Sequence, residues 1–329
     1  MPKEITPTTA SPGRGISQYV PVDLRSFPAG RPPLLDLYHH VRGQYVLYCE
    51  AQAIFAESAR RRLLDHDVDR LYIRITDGKV AAGELDLPDL LALPDDQLPP
   101  LIKAGLLYNS AVSTARMILA APGTPENPNA AQELVGTIAV RLTRDPGAFS
   151  ALVQLMSHDF SVYTHSVNVC TYATAMGSRL GLDRDDLLAL SLGAFLHDVG
   201  KTRIPKAILE KPEALTAEEW DMVRRHPEWG AQLMGEMTLK QPRVRAIVLQ
   251  HHERLDSSGY PQGLTGSDIH LLARLVSIVD VYDALTGERP YRPPLSPFDA
   301  LSVIGAEVPE RLDHDLFVVF VQMLGQEGG

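Results

Sequence analysis

Cysteine is scarce in this chain of 329 residues: there are two, Cys49 and Cys170, far apart and in no paired motif. Two isolated thiols make no disulfide framework, and a reducing compartment, the cytoplasm, is the expected location. Long apolar runs are missing as well. Leu187–Leu196 and Leu316–Leu324 fall short of the ~20 residues a helix needs to cross a bilayer, so no membrane association is expected. Lys3 and Glu4 are followed by Thr, Ser, Pro and Gly, without the apolar core of a secretory signal. Nor is there an excess of positive charge. With 31 Lys and Arg against 41 Asp and Glu, the net charge of −10 argues against a general surface for DNA or RNA. A small anionic ligand stays compatible with that balance, provided a few cations gather locally. No internal repeat or long low-complexity segment is evident.

What is present is an ordinary globular composition, 45% hydrophobic and 22% charged, in a chain long enough for two domains. The expected organisation is multidomain α+β. Residues 1–16 are polar, rich in Thr, Pro and Gly, and expected to be disordered. Residues 17–80 read as a small α+β regulatory module. Gln44–Cys49 and Arg70–Ile75 alternate as strands, Glu57–Asp65 reads as a helix with Ala59, Leu63 and Leu64 on one face, and Asp77-Gly78 signals a turn. Residues 17–100 lack the acidic cluster of a receiver domain, a haem motif and a Gly-rich nucleotide loop, leaving protein interaction or regulation as the default role. The proline-bearing stretch 81–100 reads as a linker. Helical periodicity then runs through 101–121, 130–143 and 148–156, a connector whose apolar faces need either an intramolecular partner or a second subunit, as in a homodimer.

From residue 157 to 329 the pattern is nearly all helix. Gly181 and Asp183 read as a helix stop and the next N-cap, Thr216-Ala-Glu-Glu219 has capping-box spacing before a helix running toward His226, and Pro242 fits a first turn. Seven potential metal ligands fall in this half: His165, His197, Asp198, His226, His251, His252 and Asp280. A single histidine on a helix is more often a surface or hydrogen-bonded core residue, and His39, His40, His66, His158, His270 and His314 stay under that reading. The ensemble is different. An Asp beside a His, Asp280 within the apolar run Leu275-Val-Ser-Ile-Val-Asp-Val281, and ligands on separate helices are most simply satisfied by cations such as iron, manganese or zinc.

The motifs stand in order: His165-Ser-Val-Asn-Val169, His197-Asp-Val-Gly-Lys201, Arg203-Ile-Pro205, His226-Pro-Glu-Trp-Gly230, His251-His-Glu253, Gly259-Tyr-Pro261, Asp280-Val-Tyr-Asp-Ala-Leu285 and Arg289-Pro-Tyr-Arg292. With them the C-terminal half resembles the HD-GYP family, the HD-domain metal phosphohydrolases that act on cyclic di-GMP. The resemblance implies an all-α HD-type bundle with a bi-metal site, iron or manganese serving as the two divalent ions. It implies His165, His197, Asp198 and Asp280 as ligands of one metal. Asp198 would bridge to a second, held by His226, His251 and His252. Lys201 resembles the lysine facing the scissile phosphate, and Asp283 a supporting or proton-handling group. Tyr260, Arg289 and Arg292 match positions contacting the dinucleotide. Two cations about 3.5–4 Å apart lower the pKa of a shared water and stabilise charge on a phosphoryl oxygen.

Two positions depart from the family pattern. Ser161 stands where three-metal members carry a ligating Glu, so two metals are expected. Ser257 stands where glycine is usual, and costs on the order of 1 kcal/mol if the position needs positive φ. The leading expectation is a phosphodiesterase opening cyclic di-GMP to pGpG and then GMP. The alternatives are a weak or inactive module that binds the dinucleotide or GGDEF-type protein partners, and an HD hydrolase for another nucleotide.

Overall fold

The structure is a computed structural model that describes residues 17–24, 35–51, 53, 55–76, 79–80, 87–95, 98–124, 127–145, 147–156, 161–237, 241–288, 293–308 and 310–325. The readings on residues 1–16, on Asp77-Gly78 and on Arg289 and Arg292 lie outside this set. The fold is multidomain α+β. The chain divides into two compact units, one ending at Leu98 and one beginning at Pro99.

The first unit is built on an antiparallel sheet. Its strands are β1 (Ser17–Asp23), β2 (Leu37–Val41), β3 (Gln44–Cys49), β4 (Arg70–Thr76) and β5 (Lys79–Val80), with α1 (Glu57–Asp65) between β3 and β4. The order is β1-β4-β2-β3, and β5 pairs with the free part of β4. Arg42 and Gly43 close the β2–β3 hairpin, both in the left-handed region at φ 49° and 81°, as a two-residue hairpin turn requires. Val22, Leu37, Leu71 and Ile73 bury the sheet's apolar positions, and Phe55 and Leu63 join this core. The stretch expected as a linker is partly structured: α2 (Leu87–Ala92) forms within it, and Leu90, Leu91 and Leu98 are buried. Pro88 falls in the first turn of α2, where its missing N–H costs nothing.

The second unit is all helix. It begins with α3 (Pro100–Ala120), α4 (Asn127–Arg144) and α5 (Ala148–Val153), which pack on α6 (Val162–Arg179) and α7 (Arg184–Leu196). The apolar faces of α3 and α4, with Leu106, Leu107, Ala111, Leu134, Val135 and Ile138 buried, thus find partners inside the unit. A 3₁₀ turn (Val199–Arg203) leads to α8 (Lys206–Leu209), α9 (Ala217–Val223), α10 (His226–Glu236), α11 (Pro242–Gln250), α12 (Leu271–Thr286), α13 (Pro297–Glu307) and α14 (His314–Gly325). Asp183 caps α7 through the Asp186 amide, and Thr216 and Glu219 form both halves of the capping box on α9. Among the described residues no helix is long and apolar enough to cross a membrane.

The helix capped at Thr216 runs toward His226 as expected and ends at Val223, and a new one starts at His226. Pro227 has no N–H to give the Val223 carbonyl four residues back, so a single helix cannot continue through it. The freed carbonyl is taken by the His226 imidazole, whose Nδ1 lies 2.8 Å away.

Candidate metal centre

That use of helix ends recurs. His197 is the C-cap of α7 and His251 the C-cap of α11. Terminal carbonyls of a helix have no intrahelical donor. His197 Nδ1 lies 2.7 Å from the Ala194 carbonyl and His251 Nδ1 2.9 Å from that of Val248. Donating Nδ1–H to a carbonyl leaves the Nε2 lone pair free, so all three rings present a bare acceptor to the same interior. His165, on α6, reaches this arrangement differently: its Nδ1 lies 2.7 Å from Asp283 Oδ2.

The acceptors converge in two groups whose ligand atoms lie within 4.8 Å of one another: His165, His197 and Asp280, and Asp198, His226, His251 and His252. Asp198 faces both. Its Oδ2 is 3.3 Å from His197 Nε2 and 3.6 Å from His165 Nε2, while its Oδ1 is 3.3 Å from His226 Nε2 and 3.9 Å from His251 Nε2. Asp280 Oδ1 is 3.1 Å from His165 Nε2, and its Oδ2 is 3.8 Å from His252 Nδ1. His197, Asp198, His226 and His251 are almost wholly shielded from solvent.

This donor set fits divalent cations. His226 Nε2 and His251 Nε2 are 3.2 Å apart, although each ring already donates through Nδ1. Two lone pairs pointed at each other repel unless something positive lies between or beside them. His197 Nε2 and Asp198 Oδ1 are buried without a hydrogen-bond partner, a cost that metal coordination removes. Burial pushes the Asp198 carboxyl up, but His197 and the Lys201 ammonium outweigh it and hold the group well below the usual carboxylate range. Burial likewise works against Asp280, and the hydrogen bond from His165 leads the contacts that overcome it and hold the carboxyl well below its usual range. His251 and His252 are driven well below the ordinary imidazole value, first by burial and then by neighbouring imidazoles. Asp198 and Asp280 are thus ionised and His251 and His252 neutral, the states metals require.

The other expected residues fall around this cluster. Lys201 Nζ is 2.6 Å from Asp198 Oδ2, on the 3₁₀ turn that follows the His-Asp pair. Gly200 on the same turn allows that proximity: a Cβ there would lie 1.9 Å from the His226 carbonyl oxygen. Asp283 orients His165 instead of lining the interior. Tyr260 stacks on His252 with ring centroids 4.7 Å apart, and the Arg224 guanidinium lies 6.0 Å from its ring centre. Ser161 caps α6, its hydroxyl accepting from the Tyr163 amide at 3.2 Å. Ser257 sits at φ 62°, in the left-handed region that favours glycine. His270 caps α12 through the Leu272 amide, in keeping with an ordinary structural role.

Three residues were missed as contributors. Glu253 is buried, and its two carboxylate oxygens accept from the Gln262 and Leu264 amides at 2.6 and 3.0 Å, tying the Gly-Tyr-Pro loop to the end of α11. Its place directly after the histidine pair was the available signal. Asn168 and Tyr108 extend the Asp283 contact, and nothing in their local sequence marks them.

An all-helical bundle gathering seven His and Asp side chains into two groups that share one aspartate defines a bundle able to hold divalent metal. Residues 150–316 match the family model described as HD domain. The chain belongs to the HD-domain family. It is 38% identical over 195 residues to a cyclic di-GMP phosphodiesterase of Pseudomonas aeruginosa, covering 59% of this chain and 47% of that one. It is 31% identical over 287 residues to a cyclic di-GMP phosphodiesterase response regulator of Xanthomonas campestris pv. campestris, covering 83% of this chain and 70% of the relative. An HDG"Y"P protein from Bdellovibrio bacteriovorus has the same fold, with a TM-score of 0.64 at 20% identity over 94% of this chain and all of that one.

Proposed function

We propose that the second unit is a two-metal phosphodiesterase that opens cyclic di-GMP to pGpG and, by a second cleavage, to GMP. The observation that carries this reading is Asp198, whose two oxygens face separate histidine groups across one buried interior. In this reading His165, His197, Asp198 and Asp280 hold one ion, and Asp198, His226, His251 and His252 the other. Iron is the favoured metal, and manganese suits the same mixture of imidazole and carboxylate. Ser161 supplies no third site, because its hydroxyl serves the α6 cap. Bound divalent ions supply Lewis-acid activation of water and charge stabilisation on the phosphoryl group.

The protein's own part is positional. Carbonyls at the helix ends hold three imidazoles in one tautomer, and Asp283 holds the fourth. Lys201, paired to Asp198 in this structure, would offer its ammonium to the substrate phosphate beside the metal ligands. Tyr260 and Arg224 form a wall beside His252, offering an aromatic edge and a guanidinium to a base and its phosphate. The N-terminal α+β unit serves as a regulatory module, and GGDEF-type proteins are candidate partners for the Gly-Tyr-Pro loop.

The test is anaerobic purification with iron or manganese, elemental analysis, and turnover of cyclic di-GMP, cyclic GMP-AMP and mononucleotides on one sample. Cleavage of cyclic di-GMP, abolished in Asp198→Ala, is the expected result. Dinucleotide binding without turnover across several metals would replace the enzyme with a sensor, and preference for another nucleotide would reassign the substrate.

A further inference from the structure

We propose that Tyr108, on α3 and outside the segment that matches the HD family model, is a positioning residue for the metal-facing ring of His165. It acts through a buried relay. The Tyr108 hydroxyl donates to Asn168 Oδ1 at 3.0 Å, Asn168 Nδ2 donates to Asp283 Oδ1 at 2.9 Å, and Asp283 Oδ2 lies 2.7 Å from His165 Nδ1. Tyr108, Asn168 and Asp283 are 5%, 2% and 5% exposed, so water does not substitute for a lost link.

The relay has one internally consistent direction. A hydroxyl that donates to Asn168 fixes which end of the amide is oxygen and which is NH₂. The NH₂ end then meets one oxygen of Asp283, leaving the other for the His165 Nδ1–H. Flipping the amide would set its carbonyl oxygen against a buried carboxylate and its NH₂ against a donating hydroxyl, so Asp283 and Tyr108 hold it from both ends. The hydroxyl keeps the amide at the distance and angle that fix Asp283. His197, His226 and His251 draw their orientation from a backbone carbonyl three residues earlier, but His165 depends on side chains from α12, α6 and α3. The first metal group is therefore linked to α3 through a chain of side-chain hydrogen bonds.

The inference rests on the cluster being a metal site, and its test reads metal binding alone. Manganese is titrated into metal-stripped full-length protein, in competition with a chelator, for the unsubstituted chain, Tyr108→Phe and Leu107→Ala. Phenylalanine keeps the ring and removes only the donor. Leu107, the neighbouring buried residue on α3, controls for general loosening of the helix. In Tyr108→Phe one of two binding steps should weaken about 3–10-fold, less than the ~10–100-fold typical of a group touching a ligand directly, with the other step unchanged. Leu107→Ala should lower the thermal midpoint and leave both steps intact. The relay is refuted if Tyr108→Phe alters neither step, alters both alike, or is matched by Leu107→Ala. Absence of manganese binding by the unsubstituted chain would remove the metal reading along with it.

Discussion

Glu253→Gln should loosen the Gly-Tyr-Pro loop while leaving the metal cluster intact. The glutamate is 2% exposed, and its oxygens accept from the amides of Gln262 at 2.6 Å and Leu264 at 3.0 Å. Glutamine keeps one carbonyl oxygen and turns an NH₂ toward the other amide, replacing an acceptor by a donor. Losing one bond to a charged group costs roughly 1.5–3 kcal/mol, and a buried donor without partner adds roughly 1–3. Because residues 261–264 are only partly buried, relaxation and water recover part of that sum. The expected cost is about 2–3 kcal/mol in local opening, or about 30–150-fold faster amide exchange at the usual 1.4 kcal/mol per decade. Native-state hydrogen exchange read at Gln262 and Leu264 is the assay, with α6 and α12 amides as internal reference. Unchanged protection at those two amides would refute the reasoning, as would an equal loss throughout the unit. Metal content should stay at the unsubstituted level, since Glu253 belongs to neither ligand group.

Three further predictions concern the same site. Gly200→Ala places a Cβ 1.9 Å from the His226 carbonyl oxygen and 2.6 Å from the Gly230 amide nitrogen, both backbone, so His226 must move. Urea unfolding should show a loss at or above the ~1–3 kcal/mol typical of overpacking, with reduced metal content; a stable variant with full metal loading would count against the close packing. Ser257→Gly relieves a left-handed residue at φ 62° but forfeits the Ser257 hydroxyl's 2.6 Å bond to the Asp256 carbonyl and adds freedom to the unfolded chain. The net should lie between zero and about 1 kcal/mol of stabilisation, and a destabilisation by urea titration would show the strain to be absent. Finally, burial lowers the His165 pKa, but hydrogen bonds to Asp280 and Asp283 raise it further, up to about 9 from 6.5. A folded-state value above the unfolded one stabilises the metal-free protein fully below pH 6.5, and that contribution disappears as pH rises through about 9. The same proton must leave Nε2 when a cation binds there, so affinity should rise about tenfold per pH unit toward that value and then level. Metal-free stability and metal affinity should thus run in opposite directions across one window; affinity that stays flat there would sink the assignment.

What could be read from the amino-acid sequence divides along a physical line. Strands β3 and β4, helix α1 over Glu57–Asp65, and the caps at Asp183 and Thr216 depend on alternation and on contacts three residues apart, and all are legible locally. The break before His226 is equally local, set by Pro227 four residues after Val223. Helix α2 hid among prolines because its stability comes from burying Leu90 and Leu91, a tertiary gain that weak local propensity does not announce.

The candidate metal cluster obeys the same division, and this bears on how it is built. His197, His226 and His251 each take their orientation from a carbonyl three residues earlier, so a helix end followed or preceded by histidine already carries half the instruction for a metal-facing ring. His165 carries no such instruction. Its partner Asp283 is 118 residues away, Asp283 is held by Asn168 at a separation of 115, and Asn168 by Tyr108 at 60. His165 takes its orientation only after α3, α6 and α12 have packed, whereas His197, His226 and His251 are oriented by carbonyls three residues away. The least legible part of the site is therefore the ring whose orientation runs through three helices, the relay from Tyr108 to His165.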